Sequence, residues 1–100
     1  MIIFVDIDNT ICYNTCNELN YSSCLPYEDR ITKINKLYDN GNVIIYWTAR
    51  GTSTGINWFT ITIDQLNTWK CKFHELRMGK PVYDLFIDDK NISSELFFSI

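Results

Sequence analysis

Three short stretches of this chain are dominated by apolar residues, and each runs directly into polar ones. Ile2 to Val5 ends at Asp6, Asn42 to Trp47 (NVIIYW) ends at Thr48-Ala49-Arg50-Gly51, and Tyr83 to Ile87 ends at Asp88-Asp89. Near-continuous apolar runs of this length suit strands covered on both faces better than the alternating strands of a half-exposed sheet. Between the first two, Pro26 is followed by Glu28 and Asp29, a helix start in which the acids face the positive end of the dipole. Ile31, Ile34, Leu37 and Tyr38 then recur at helical spacing, and Gly41 closes the helix by reaching the left-handed conformation. A second helix is predicted from about Thr60 to Lys70, with Thr62 and Gln65 as a capping box and Ile63, Leu66 and Trp69 as its apolar stripe. Cys71 to Leu76 fits a short strand, Gly79-Lys80-Pro81 a turn, and Glu95 to Ile100 an edge strand or a hydrophobic tail. The stretch from Cys12 to Ser23 is polar and irregular.

Strand, helix, strand, helix, strand is a βαβ alternation. Right-handed crossovers then make an open, mostly parallel α/β sheet whose ligands gather outside the carboxyl ends of the strands. At 100 residues, 46% hydrophobic and 21% charged, the chain reads as one globular domain spanning residues 1–100, without repeats or low-complexity tracts.

Charge and cysteine content narrow the function classes. Nine Lys plus Arg against twelve Asp plus Glu give a net charge of -3, which does not favour binding along nucleic acid. The apolar start MIIFV meets Asp6 and Asp8 at once, so neither a signal-peptide core nor a membrane span of about 20 apolar residues fits there. The expectation is a soluble, cytoplasmic protein without membrane partners. Cys12, Cys16, Cys24 and Cys71 form no CxxC pair, so reduced thiols are expected; a zinc site with His74 matches no standard spacing.

The chemistry sits where the strands end. Asp6 and Asp8 flank Ile7, and alternate residues of an extended chain share a face, so two carboxylates are presented together. Paired acids repel unless a cation intervenes, and Mg²⁺, which prefers oxygen ligands, relieves that repulsion, with Asp88 as a further ligand. Thr48 offers a hydroxyl and Lys80 a compact cation, and together these groups specify a phosphate.

In this order the residues resemble the haloacid dehalogenase superfamily of phosphatases. Asp6-Ile7-Asp8-Asn9-Thr10 matches its DxDxT signature, followed by Thr48, Lys80 and Asp88-Asp89, so the likeness runs from Phe4 to Lys90. The segments WTARG, GKP and DLFIDDK further resemble small phosphatase-like proteins of capsule and sugar metabolism. The resemblance implies a Rossmann-like three-layer domain and a Mg²⁺-dependent phosphomonoester hydrolase. It implies Asp6 as nucleophile through an aspartyl-phosphate and Asp8 as general acid and base. It implies Thr48, Lys80 and the backbone of Ile7 and Ala49 on the phosphoryl group, with Asp6, Asp8, Asp88 and Asp89 around the metal. Arg50 either contacts substrate or pairs with an acid beside the site.

No cap domain fits in either gap between signatures, so the site is expected to be open, accepting a phosphorylated small molecule such as a sugar phosphate or an exposed phosphate on a larger substrate. The chain stops eleven residues after Asp89, an abbreviation that leaves room for a homo-oligomer. Singly, Asp6, Asp8, Thr48 and Lys80 have bland readings as caps or solvated charges; jointly they converge on one end of the expected sheet. The alternatives are a nucleic-acid 3′-phosphatase, and a phosphate-binding or regulatory module without turnover. A phospho-receiver domain carries its paired acids first and its phosphorylated Asp alone later, an order this chain does not follow.

Overall fold

The computed structural model describes residues 1–15 and 20–100. Its centre is a three-stranded sheet of β1 (Ile2–Val5), β4 (Val43–Trp47) and β5 (Glu75–Arg77), parallel throughout and ordered β1-β4-β5. Before β4 come a small antiparallel ribbon, β2 (Cys12–Asn14) against β3 (Cys24–Pro26), and α1 (Glu28–Asp39). Helix α2 (Phe59–Thr68) joins β4 to β5, and α3 (Ser94–Ser99) lies at the C-terminal end. Three helices and a parallel sheet make this a small α/β domain.

The register Ile3↔Ile44 and Val5↔Tyr46 puts these four side chains on one face of the sheet. That face carries the core, built with Ile31 and Ile34 of α1 and Leu66 of α2, and Phe97 and Phe98 of α3 pack against it. The opposite face holds Ile2, Phe4 and Val43, which are exposed, and Ile45, which is buried among its neighbours. The described residues therefore form two layers, where the resemblance implied three. Handedness is the reason. Strand order runs one way, β1 to β4 to β5, so successive right-handed crossovers deliver both helices to the same face. A helix on the other face requires a strand beyond β1, and the expected strand from Tyr83 to Ile87 does not form: residues 81–90 are exposed and belong to no sheet.

Other expectations shift for local reasons. Pro26 ends β3 and α1 begins at Glu28, with Gly41 at φ 92 donating to the Tyr38 carbonyl as the helix ends. The stretch expected to be irregular contributes β2, and its Cys16 lies outside the described residues. Thr62 does not cap a helix, because α2 starts three residues earlier at Phe59. The segment expected as an edge strand or tail is instead helical over Ser94–Ser99; Ser93 Oγ accepts from the Leu96 amide as its cap, and Lys33 Nζ donates to the Phe97 carbonyl. Among the described residues no helix is long and apolar enough to cross a membrane.

Candidate active site

The carboxyl ends of β1, β4 and β5 open into a cleft of about 580 Å³. Asp6, Asp8, Ala49, Arg50 and Lys80 line it, so five of the residues singled out from the sequence come together, with Asn14, Tyr21, Ser53 and Tyr83 at its walls.

The turn after β1 presents both acids. The Ile7 carbonyl accepts from the amides of Thr10 (3.1 Å) and Ile11 (2.9 Å), Asn9 takes the left-handed φ of 62, and its amide donates to the Cys12 carbonyl at 2.8 Å. Ile7 is thereby buried in the core while Asp6 and Asp8 remain in the cleft. Asp6 is held from two sides: Lys80 Nζ lies 3.3 Å from one carboxylate oxygen, and Thr10 Oγ1 donates to the other at 3.1 Å. Lys80 is itself anchored, since its amide donates to the Thr48 carbonyl at 3.0 Å and its carbonyl accepts from Thr52 Oγ1 at 2.7 Å. The cation and Asp6 are thus positioned by backbone bonds linking the ends of different strands.

Asp8 is held differently. Arg50 Nε and Nη2 donate to its two oxygens, each at 2.9 Å, in a bidentate pair. The guanidinium is only 2% exposed as a residue, and its remaining nitrogen donates to Thr62 Oγ1 (3.1 Å) and Gln65 Oε1 (2.6 Å) of α2. The Tyr21 ring covers it with a centroid distance of 4.7 Å. Burial works against the Arg50 charge, but the hydrogen bonds and charge of Asp8 outweigh it, and its pKa lies above the ordinary guanidinium value. Of the two roles open to Arg50, the geometry realises the ion pair: its donors are engaged, and none is left for a substrate. Sequence reasoning missed Thr62, Gln65 and Tyr21 as its supports.

Cys12 and Cys24 Sγ lie 3.5 and 3.7 Å from Asp8 Oδ1, close enough that these three groups form a cluster within 4.8 Å. Burial, followed by the Asp8 charge, raises both thiols above their ordinary value, and Arg50 already fills the cation position beside them. Cys71 belongs elsewhere, next to Tyr46, and of the zinc set considered from the sequence Cys16 lies outside the described residues. His74 accepts the Ile44 amide through Nδ1 at 3.1 Å and stacks on Tyr38, a packing role.

Four expected site residues lie away from the cleft surface. The Thr48 side chain is buried beneath it, its hydroxyl accepting the Arg50 amide at 3.1 Å, and Ile7 is buried beside it. Asp88 and Asp89 are exposed on the segment that follows Lys80 and do not line the cleft.

No family model and no curated protein matches the chain. Among solved structures it is similar to a protein from Vibrio cholerae determined as an MCSG target, with 25% identity and a TM-score of 0.85. The similarity covers 99% of this chain and 88% of that one, so the two share the fold.

Proposed function

We propose that this chain is a phosphomonoester hydrolase of the haloacid dehalogenase type, built on an abbreviated form of that family's Rossmann-like sheet. The observation that carries the reading is the contact of Lys80 Nζ with Asp6 at 3.3 Å, at the mouth of a cleft formed by three parallel strand ends. A half-exposed carboxylate steadied by a fixed cation is a suitable oxygen nucleophile toward a phosphoryl group.

In this reading an Asp6 oxygen attacks phosphorus, the bond from phosphorus to the leaving oxygen breaks, and the phosphoryl group passes to Asp6. Water then attacks that phosphorus, releasing inorganic phosphate and restoring the carboxylate. Lys80 offsets charge gathering on the phosphoryl oxygens. Asp8 keeps both oxygens on Arg50, but each carboxylate oxygen has two lone pairs, so one site stays open on the cleft side to take a proton from water. Protonated at that same site, Asp8 gives its proton to the leaving oxygen as the bond to phosphorus breaks, and the water of the second step restores it.

Of the residues expected around Mg²⁺, Asp6 and Asp8 line the cleft and would hold the ion there, where it would offset charge on the phosphoryl oxygens; Asp88 and Asp89 do not line it. No step above is routed through an ion.

The test is phosphate release from p-nitrophenyl phosphate, sugar phosphates and 3′-phosphorylated oligonucleotides, comparing wild type with Asp6→Asn. Turnover lost in the variant supports the hydrolase, and the preferred substrate separates sugar phosphates from nucleic acid. Orthophosphate binding without turnover on any substrate, a reading that the clamped Asp8 favours as second choice, would replace it with a phosphate-binding module.

A further inference from the structure

The segment after Lys80 has the composition of a buried strand and the exposure of a loop. Val82, Leu85 and Ile87 are 65, 75 and 87% exposed, and no strand among the described residues pairs with them. Among the described residues β1 pairs only with β4, leaving one edge free beside exposed Ile2 (69%) and Phe4 (48%). A free edge and a free apolar segment on one chain are each a liability in water.

They cannot satisfy each other within one chain. Lys80 is fixed at the carboxyl end of the sheet by its contacts with Asp6 and the Thr48 carbonyl. A strand parallel to β1 must start at the opposite end, about 13 Å back along the four residues of β1, and about 14 Å sideways past β4 and β1. Only Pro81 and Val82 separate Lys80 from Tyr83, and the three steps between them reach at most about 11 Å. Parallel neighbours ordinarily need a crossover of a dozen or more residues. An antiparallel return would avoid the crossover but would carry Asp88 about 16 Å toward the wrong end of the sheet.

We propose that residues 83–87 of one copy add in parallel to the free edge of β1 in a second copy, reciprocally, forming a two-fold dimer. The occupant is a second copy because each chain offers one segment and one edge, so two chains satisfy both, whereas a foreign strand would leave the chain's own segment bare. Helix α3 marks the destination. Ser94 Oγ donates to the Asn9 carbonyl at 3.4 Å and Glu95 pairs with Arg30 at 3.3 Å, so α3 rests beside the end of β1 that Asp88 would reach. The exchange lifts α3 from its own chain and seats it on the equivalent surface of the other copy, so that its contacts with Asn9, Arg30 and Lys33 become contacts between copies. It also brings Asp88 to the cleft of the other copy, adding a third carboxylate to Asp6 and Asp8 there; this consequence alone rests on the phosphatase reading.

Light scattering tests the exchange without any substrate. The wild type is expected at twice the 11.8 kDa of one chain. Leu85→Lys with Ile87→Lys, and separately Ile2→Lys, are expected at the monomer mass with unchanged far-ultraviolet circular dichroism. Hydrogen exchange is expected to protect the amides of residues 84–87 in the dimer and not in Ile2→Lys. A monomeric wild type, or a dimer whose 84–87 amides exchange freely, overturns the proposal. Co-refolding Asp6→Asn with Asp88→Asn then tests the shared site. Random reassortment makes half of the dimers mixed, each with one intact site, so about one quarter of wild-type turnover returns. No recovery beside an active wild type overturns the placement of Asp88. An inactive wild type overturns the phosphatase reading instead, and the mass and exchange results still decide the dimer.

Discussion

Arg50 and Asp8 hold each other through two hydrogen bonds of 2.9 Å, with the arginine buried and the aspartate at the wall of the cleft. This pair sets how Asp8 is presented, and it depends on α2 for its remaining partners. Replacing Arg50 by Ala leaves Asp8, Thr62 and Gln65 without their donors. The expected loss is about 3 kcal/mol of stability, read by urea unfolding. Arg50→Lys is expected to recover little of it, because an ammonium cannot reproduce the fork.

Removal of either support tests the clamp from the other side. Thr62→Val and Gln65→Leu each deprive a buried guanidinium nitrogen of an acceptor, at a cost of roughly 1–3 kcal/mol. Combined with Arg50→Ala, either should cost less than the sum of the single changes, since the three groups act together. Strict additivity in that double-mutant cycle would contradict the clamp.

Gly51 sits in the loop between β4 and the cleft wall at φ 82, and a Cβ there would collide with the Ile56 carbonyl. Gly51→Ala must therefore shift the loop that carries Ser53 and follows Arg50, and is expected to destabilise by at least about 1–2 kcal/mol. Gly55→Ala, at φ 76 but with open space around its Cβ, should cost less. Thermal unfolding of the two variants gives the comparison.

Burial at the thiols sets an alkaline limit. Cys71 is pushed from 9.0 up to about 11, by burial above all. Above pH 9 the unfolded chain loses this proton while the folded one keeps it, so the folded state binds more protons and stability falls as pH rises toward 11. The Cys12 and Cys24 thiols, raised for the same first reason, add in the same direction. Urea unfolding is expected to give a constant stability from pH 7 to near 9 and a decline beyond it, shallower in Cys71→Ala. A stability that rises between pH 9 and 11 would contradict the burial of these thiols.

Much of the fold is legible in the sequence because the responsible signals are local. The apolar runs at β1 and β4, the Ile31 and Ile34 stripe and the Gly41 stop describe their own neighbourhoods, and Asp6, Asp8 and Lys80 meet because each follows a strand or its turn. The missing third layer turns on a length rather than a composition: Tyr83 to Ile87 has a strand's residues, but Lys80 is tied to Asp6 too close before it. The Arg50 clamp is hidden for another reason. Its partners stand 42, 12 and 15 positions away, and Thr62 and Gln65 carry a capping pattern that draws them into a different local explanation. Cys12 and Cys24 meet at Asp8 only because β2 and β3 pair, which the polar stretch between them conceals.

Trapping the intermediate tests the central claim most directly. Wild type and Asp6→Asn are mixed with a turned-over phosphomonoester, quenched in acid within the first turnover, digested and analysed by mass spectrometry. The account predicts a phosphoryl group on the Asp6 peptide of the wild type and none on that of the variant. Phosphate release with Asp6 never labelled, or turnover undiminished in Asp6→Asn, would contradict it.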